Sequence, residues 1–341
     1  MLKKVLIKLV VVSVLFVLTG CQSSQTTNIS QAWEQYKTRF VMPDGRVIDT
    51  GNNNISHSEG QGYGLLLAVR NNDYATFDAI WRWSQENLQV RQDKLFIWRR
   101  RPGILLKDED MNNASDGDII IAWALLEASQ KWQKPDYQTE ALGILHDIKA
   151  KLIVSWRGLA ILLPGAFGFT HENSTDINLS YWIFPAFSLF EIYDNDPVWR
   201  KLQESGVILL QQARFGLWKL PGDWIKLKQN NTMSVTKNNR FGYDAIRIPL
   251  YLVWGQQASS LLDPYSDYWS FYGQYTPAWI ALNQPVMDAY GAGDGIKAIK
   301  RLVMAIENKG AFGETKTLPD QDYYQSTLFL LSQLCYQQVS G

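Results

Sequence analysis

Apolar positions along the chain recur mostly at helical spacing. Tyr74, Phe77, Ile80 and Trp81 fall on one face directly after Asp73, whose carboxylate is placed to cap a helix. Residues 119–126 are apolar on every face, the mark of a helix buried all round. Residues 199–213, 292–308 and 324–337 read as further helices. Pro249, inside the apolar run 245–254, puts a helix start or a bend there. Alternating, strand-like runs are few and short, the best being residues 215–220.

Polar, glycine-containing stretches separate these helices at residues 49–64, 102–118, 165–178 and 221–242. Fully apolar helices mixed with amphipathic ones suit two concentric layers, an inner ring shielded by an outer one. The polar stretches would then gather at one end and form a groove. No linker or composition shift interrupts residues 31–338, so the expectation is one all-α domain over residues 31–341.

The N-terminus breaks this pattern. Lys3, Lys4 and Lys8 precede an apolar run at residues 9–18, followed by Leu18, Thr19, Gly20 and Cys21. A basic start and a short apolar segment ending in small residues and cysteine predict a lipoprotein signal peptide over residues 1–20. Cys21 would carry the lipid and residues 21–30 would be a flexible tether. The expected location is therefore the periplasm or cell envelope, with a membrane anchor. Gln22 after the cysteine points to the outer membrane. With Cys21 lipidated only Cys335 remains, which leaves no internal disulfide, and its apolar neighbours mark it as a buried small hydrophobe.

Formal net charge is zero, which supplies no general attraction for nucleic acid. His57, His146 and His171 are scattered without ligand spacing, so no metal site is expected and no cofactor is implied. The 14 tryptophans serve either to pack large helices or to offer flat faces to a ligand such as a sugar ring.

Three segments place carboxylates in polar loops. The first runs from His57 to Gly64, where Glu59 precedes an apolar helix and Gly60, Gly62 and Gly64 permit close backbone approach. Locally, Glu59 reads either as an acid opposing the helix dipole or as a catalyst. The second holds Asp116 and Asp118 just ahead of the 119–126 helix. Ser115 or Asp116 is placed to cap that helix, which leaves a second acid to explain. In the third, Asp244 and Arg247 stand one helical turn apart and can pair.

Together these segments resemble glycoside hydrolase family 8, a family of bacterial endoglucanases that includes cellulases associated with cellulose synthesis. Residues 114–118 with Ile121, Ala122, residues 124–126, Ala128 and Trp132 match its signature. Further similarity runs through residues 32–37, 49–51, 58–64, 220–224, 243–249 and 323–328, so it covers nearly the whole mature chain.

The resemblance implies an (α/α)6 barrel and an inverting endo-β-1,4-glucanase acting on cellulose-type glucan. Glu59 takes the place of the general acid and Asp244 that of the general base. Asp116 takes the place of an aspartate that contacts the sugar being cleaved, and Arg247 orients Asp244. Trp98, Tyr181 and Tyr243 match aromatic positions of the family. With Trp224 and Tyr323 they are candidates for sugar stacking, each weighed against core packing. The cellulose synthase machinery is a further expected partner.

Inversion needs a protonated acid and an ionised base on opposite faces of the sugar, roughly 6.5–9.5 Å apart to admit a water. Burial or the nearby Asp116 should keep Glu59 protonated, while Arg247 should favour ionised Asp244. Xylan, mixed-linkage glucan and chitosan are rival substrates for the same fold. Chitosan calls for further acids along the groove, and none is evident in the sequence. A non-catalytic glycan-binding lipoprotein of an exopolysaccharide assembly is the rival of another class; it has no need of all three acids.

Overall fold

A computed structural model describes residues 28–230, 232–313 and 317–340. The signal peptide and Cys21 lie outside the described residues. Helix α1, Asn28–Phe40, begins inside the stretch read as tether.

The helical periodicity is realised closely. Asp73 caps α3, Tyr74–Asn87, by accepting the Thr76 amide at 3.1 Å. The fully apolar run lies within α4, Ser115–Trp132, which packs against α2, Ser58–Arg70, and α5, Pro135–Leu152. Next come α6, Phe184–Asp194, and α7, Val198–Gln212. Pro249 falls in the first turn of α8, Arg247–Trp254, where no intrahelical bond is lost. The chain closes with α9, Asp263–Tyr272, α10, Asp294–Ile306, and α11, Tyr323–Ser340.

These helices form an (α/α)6 barrel. Helices α2, α4 and α8 and most of α11 are buried on every side and belong to the inner layer. Helices such as α3 and α7 bury one apolar face against it. The inner helices run in the same sense, so the N-termini of α2, α4, α8 and α11 open at one end of the barrel. Their positive dipole ends face the same space.

The strand prediction at residues 215–220 is not met. Phe215 and Leu220 form an isolated bridge that closes a tight turn. A four-stranded antiparallel sheet arises instead within stretches read as loops, from Thr170–His171, Ser174–Ile177, Ile225–Lys228 and Met233–Val235. Its strands are two to four residues long, too short for a period-of-two signal to stand out.

Gly62 and Gly117 are explained by crowding between α2 and α4, whereas Gly60 lies against Tyr323 and His57 and Gly64 against Val47 and Ile80. A Cβ on Gly62 would stand 2.9 Å from the Ile120 Cβ. One on Gly117 would stand 2.1 Å from the Ser58 Oγ and 2.7 Å from the Glu59 amide nitrogen. None of these positions has positive φ, so what the motif supplies is close approach and not unusual dihedrals. Forcing a methyl into such a contact costs about 1–3 kcal/mol.

Candidate active site

Each of the three carboxylate segments is fixed by a different local device. His57 caps α2: its Nδ1 accepts the Gly60 amide at 2.9 Å, which leaves the ring proton on Nε2, 3.5 Å from Asp49. Glu59 is thereby held in the first turn of α2 with its side chain at the barrel mouth.

Helix α4 starts after Ala114 without a side-chain cap, so the capping role expected of Ser115 or Asp116 is corrected. Both are already helical. The Ser115 amide is satisfied by the Pro164 carbonyl at 2.9 Å. Asp118 does the structural work, accepting the Phe96 amide at 2.9 Å and the Asn113 side-chain amide at 2.6 Å. Asp116, which accepts the Gly117 amide beside it, faces the cavity. The two acids of this segment therefore separate into one fastener and one site residue.

Arg247 joins the segments. One terminal nitrogen contacts Glu59 directly and lies 3.7 Å from Asp116; the other lies 3.1 Å from Asp244. The guanidinium is buried and also donates to the Ser180 hydroxyl at 3.0 Å. The contact of Glu59 is thus a cation, whereas the sequence suggested the Asp116 carboxylate. Asp244 is the most open of the three acids, with 31% of its side chain exposed against 5% for Asp116.

Around them lies a cavity of about 270 Å³ lined by Glu59, Asp116, Asp244 and Arg247 together with Trp98, Tyr181 and Tyr243. The Trp98 indole N–H donates to Asp110 at 2.9 Å. Tyr243 meets the Tyr290 hydroxyl at 2.9 Å, and the Tyr324 hydroxyl donates to its carbonyl.

Two candidates stand elsewhere. Trp224 donates its indole N–H to Asp244 at 3.1 Å, and its ring is covered by Phe169 and by the Lys237 ammonium. Its place is a support beneath the carboxylate. Tyr323 is buried behind His57, edge-on at 5.5 Å, and packs on Phe40 and Tyr36; its neighbour Tyr324 lines the cavity instead. Asp49, Asn52 and His57 also line it; all three fall in the polar stretch 49–64, but the sequence assigned them no role. A larger cavity of about 440 Å³ at Trp218, Phe271 and Met287 has no carboxylate in its lining.

The electrostatics differ from expectation in one respect. Burial pushes Asp116 up to about 7, against the opposing pull of the Gly117 amide and His57. Burial likewise raises Asp118 to about 7. Asp244 is also pushed up to about 7, first by burial and then by the like charge of Asp223. Arg247 does pair with Asp244, as expected, but burial and the Asp223 charge outweigh it. A carboxylate poised near neutrality accepts a proton more readily than an ordinary aspartate, which suits a base.

The family model for glycosyl hydrolases family 8 matches residues 5–338. The chain is 38% identical over 311 residues to a probable endoglucanase of Novacetimonas hansenii, covering 89% of both chains. It is 41% identical over 276 residues to an endoglucanase of Cellulomonas uda, covering 80% of this chain and 77% of that one. Among solved structures, the endo-β-1,4-glucanase of Acetobacter xylinum aligns with a TM-score of 0.86 at 37% identity, covering 92% of this chain and 99% of that one.

The raised carboxylates predict a pH dependence of stability. A group raised in the folded state binds more protons there than in the unfolded chain. Its contribution is fully present below the ordinary value of 3.8 and is lost as pH rises through about 7. Urea midpoints should therefore fall from pH 4 to pH 8, and Asp116→Asn should flatten the slope. A midpoint that climbs steadily across this range would contradict the electrostatic reading.

Proposed function

The chain belongs to glycosyl hydrolase family 8, and on that premise we propose how its three cavity carboxylates divide the work of cutting a β-1,4-glucan. The protein is a glycoside hydrolase of the endoglucanase type, and the substrate is a glucan polysaccharide. Glu59 is the general acid that protonates the departing glycosidic oxygen. Asp244 is the general base that activates water on the opposite face of the sugar. Asp116 holds the sugar being cleaved and donates a hydrogen bond to it when protonated.

The observation that carries this reading is the shared guanidinium. Glu59 and Asp244 reach different nitrogens of Arg247 and line one cavity with it. An inverting pair faces one cavity in this way, with room for a water between acid and base. Glu59 rests against the Arg247 guanidinium, a contact that the entering sugar displaces for the acid to reach the glycosidic oxygen. Trp98, Tyr181 and Tyr243 flank the carboxylates and offer ring faces to neighbouring sugars.

Residues 1–21 support export with a lipid on Cys21, anchoring the enzyme to the envelope, at the outer membrane by the residue after the cysteine. There it would act beside the cellulose synthase machinery on nascent glucan. Cys21→Ser should move the protein from the membrane fraction to the soluble one; unchanged membrane association would refute the anchor.

Glu59→Gln and Asp244→Asn should each lower the release of reducing sugar from carboxymethylcellulose by ~10²–10⁴-fold while thermal unfolding stays cooperative. The wild-type enzyme should leave xylan and chitosan largely intact. Substantial turnover by Asp244→Asn would move the base to another residue.

A further inference from the structure

The loop that presents Asp244 is organised by a carboxylate with no place in the mechanism above. Asp223 is buried, and its Oδ1 accepts the amides of Gly242 at 2.9 Å, Asp244 at 3.2 Å and Ala245 at 2.9 Å. Its Oδ2 meets Arg240 Nε at 3.0 Å, and its own amide donates to the Arg240 carbonyl at 2.8 Å. The next residue, Trp224, donates its indole N–H to Asp244 Oδ2. Consecutive residues thus grip Asp244 at its backbone and at its side chain. Gly242 is required for this approach, since a Cβ there would stand 3.0 Å from Asp223 Oδ2 and 2.9 Å from Arg240 Nε.

We propose that Asp223 is a positioning residue for the hydrolytic reaction: it fixes where Asp244 stands and sets the field in which Asp244 ionises, without touching the substrate. The inference rests on the reading of Asp244 as the base. Three amides converging on one oxygen orient the turn that carries Asp244 within narrow limits. The same oxygen brings a buried negative charge up to the base. Arg240, a quarter exposed, neutralises that charge only in part. The other charged or titratable groups around Asp244 are Arg247 on its own turn, Glu59 and His57 from the start of α2, Asp116 from α4, Lys237 from the turn above Trp224, and the tyrosines Tyr181, Tyr243 and Tyr324. Asp223 stands out among them as the like charge that also holds the backbone of Asp244.

A purely structural role and a positioning role predict different pH profiles. A like charge nearby makes a carboxylate harder to ionise, so removing it lets Asp244 ionise at lower pH. The acid limb of kcat/KM reports the base of the free enzyme. Asp223→Asn keeps an oxygen for the amides and removes the charge, and should move that limb to lower pH. Arg240→Gln leaves Asp223 uncompensated and should move it to higher pH. A loss of folded enzyme that is equal at every pH lowers the whole profile and leaves the limb in place, so the folded fraction of each variant is measured across the same pH range and the rates are expressed per folded enzyme. If Asp223→Asn does not fold, the Arg240→Gln profile decides.

The test is the pH profile of carboxymethylcellulose hydrolysis for the wild type and both variants, with Asp244→Asn alongside. Opposite shifts in the two variants, with Asp244→Asn inactive, is the expected result. Limbs that stay in place while Asp244→Asn is inactive would overturn the role of Asp223 alone. Turnover by Asp244→Asn would overturn the base assignment beneath it.

Discussion

Arg247 carries one buried positive charge to a point where three carboxylates converge, from α2, from α4 and from the turn before α8. Without it the barrel mouth would hold Glu59, Asp116 and Asp244 as neighbouring like charges in a poorly hydrated space. Breaking a buried pair of this kind leaves an uncompensated charge and costs about 3–5 kcal/mol. The helix termini act in the same direction, because α2, α4 and α8 turn their N-terminal ends towards the acids. Charge that would be costly in any core is therefore concentrated at one end of the inner layer, where it is balanced and open to a polysaccharide.

The rest of the site follows from keeping that convergence exact. Glycines at positions 62 and 117 let α2 and α4 close on each other, which brings Glu59 beside Asp116. Asp118 ties the start of α4 to the Phe96 and Asn113 backbone and side chain. Asp223 and Trp224 hold Asp244 from below. The acids of the cavity are thus framed by acids that meet only protein, Asp118 beside Asp116 and Asp223 beneath Asp244.

Much of this was legible in the amino-acid order. The periodicity located α3, α4, α7, α10 and α11, because each buries one face or all faces over many turns. The family signature brought Glu59, Asp116 and Asp244 forward, and all three line one cavity. The small sheet was not legible, since strands of two to four residues carry no usable alternation. Nor could the order separate Tyr323 from Tyr324: adjacent helical residues point about 100° apart, and only the packing of α11 decides which one faces the core. Trp224 and Asp223 lay within a recognised segment, but their hydrogen bonds to Asp244 exist only once the loop is folded.

Glu59, the proposed acid, rests against a cation, and Asp244, the proposed base, is raised towards neutrality. The central claim is that Glu59 and Asp244 act from opposite faces with a water between them. The most direct test is proton NMR of the anomeric signals during the first moments of hydrolysis of a soluble β-1,4-glucan, before mutarotation. New reducing ends should appear first as the α-anomer. Initial accumulation of the β-anomer would show retention and contradict the account.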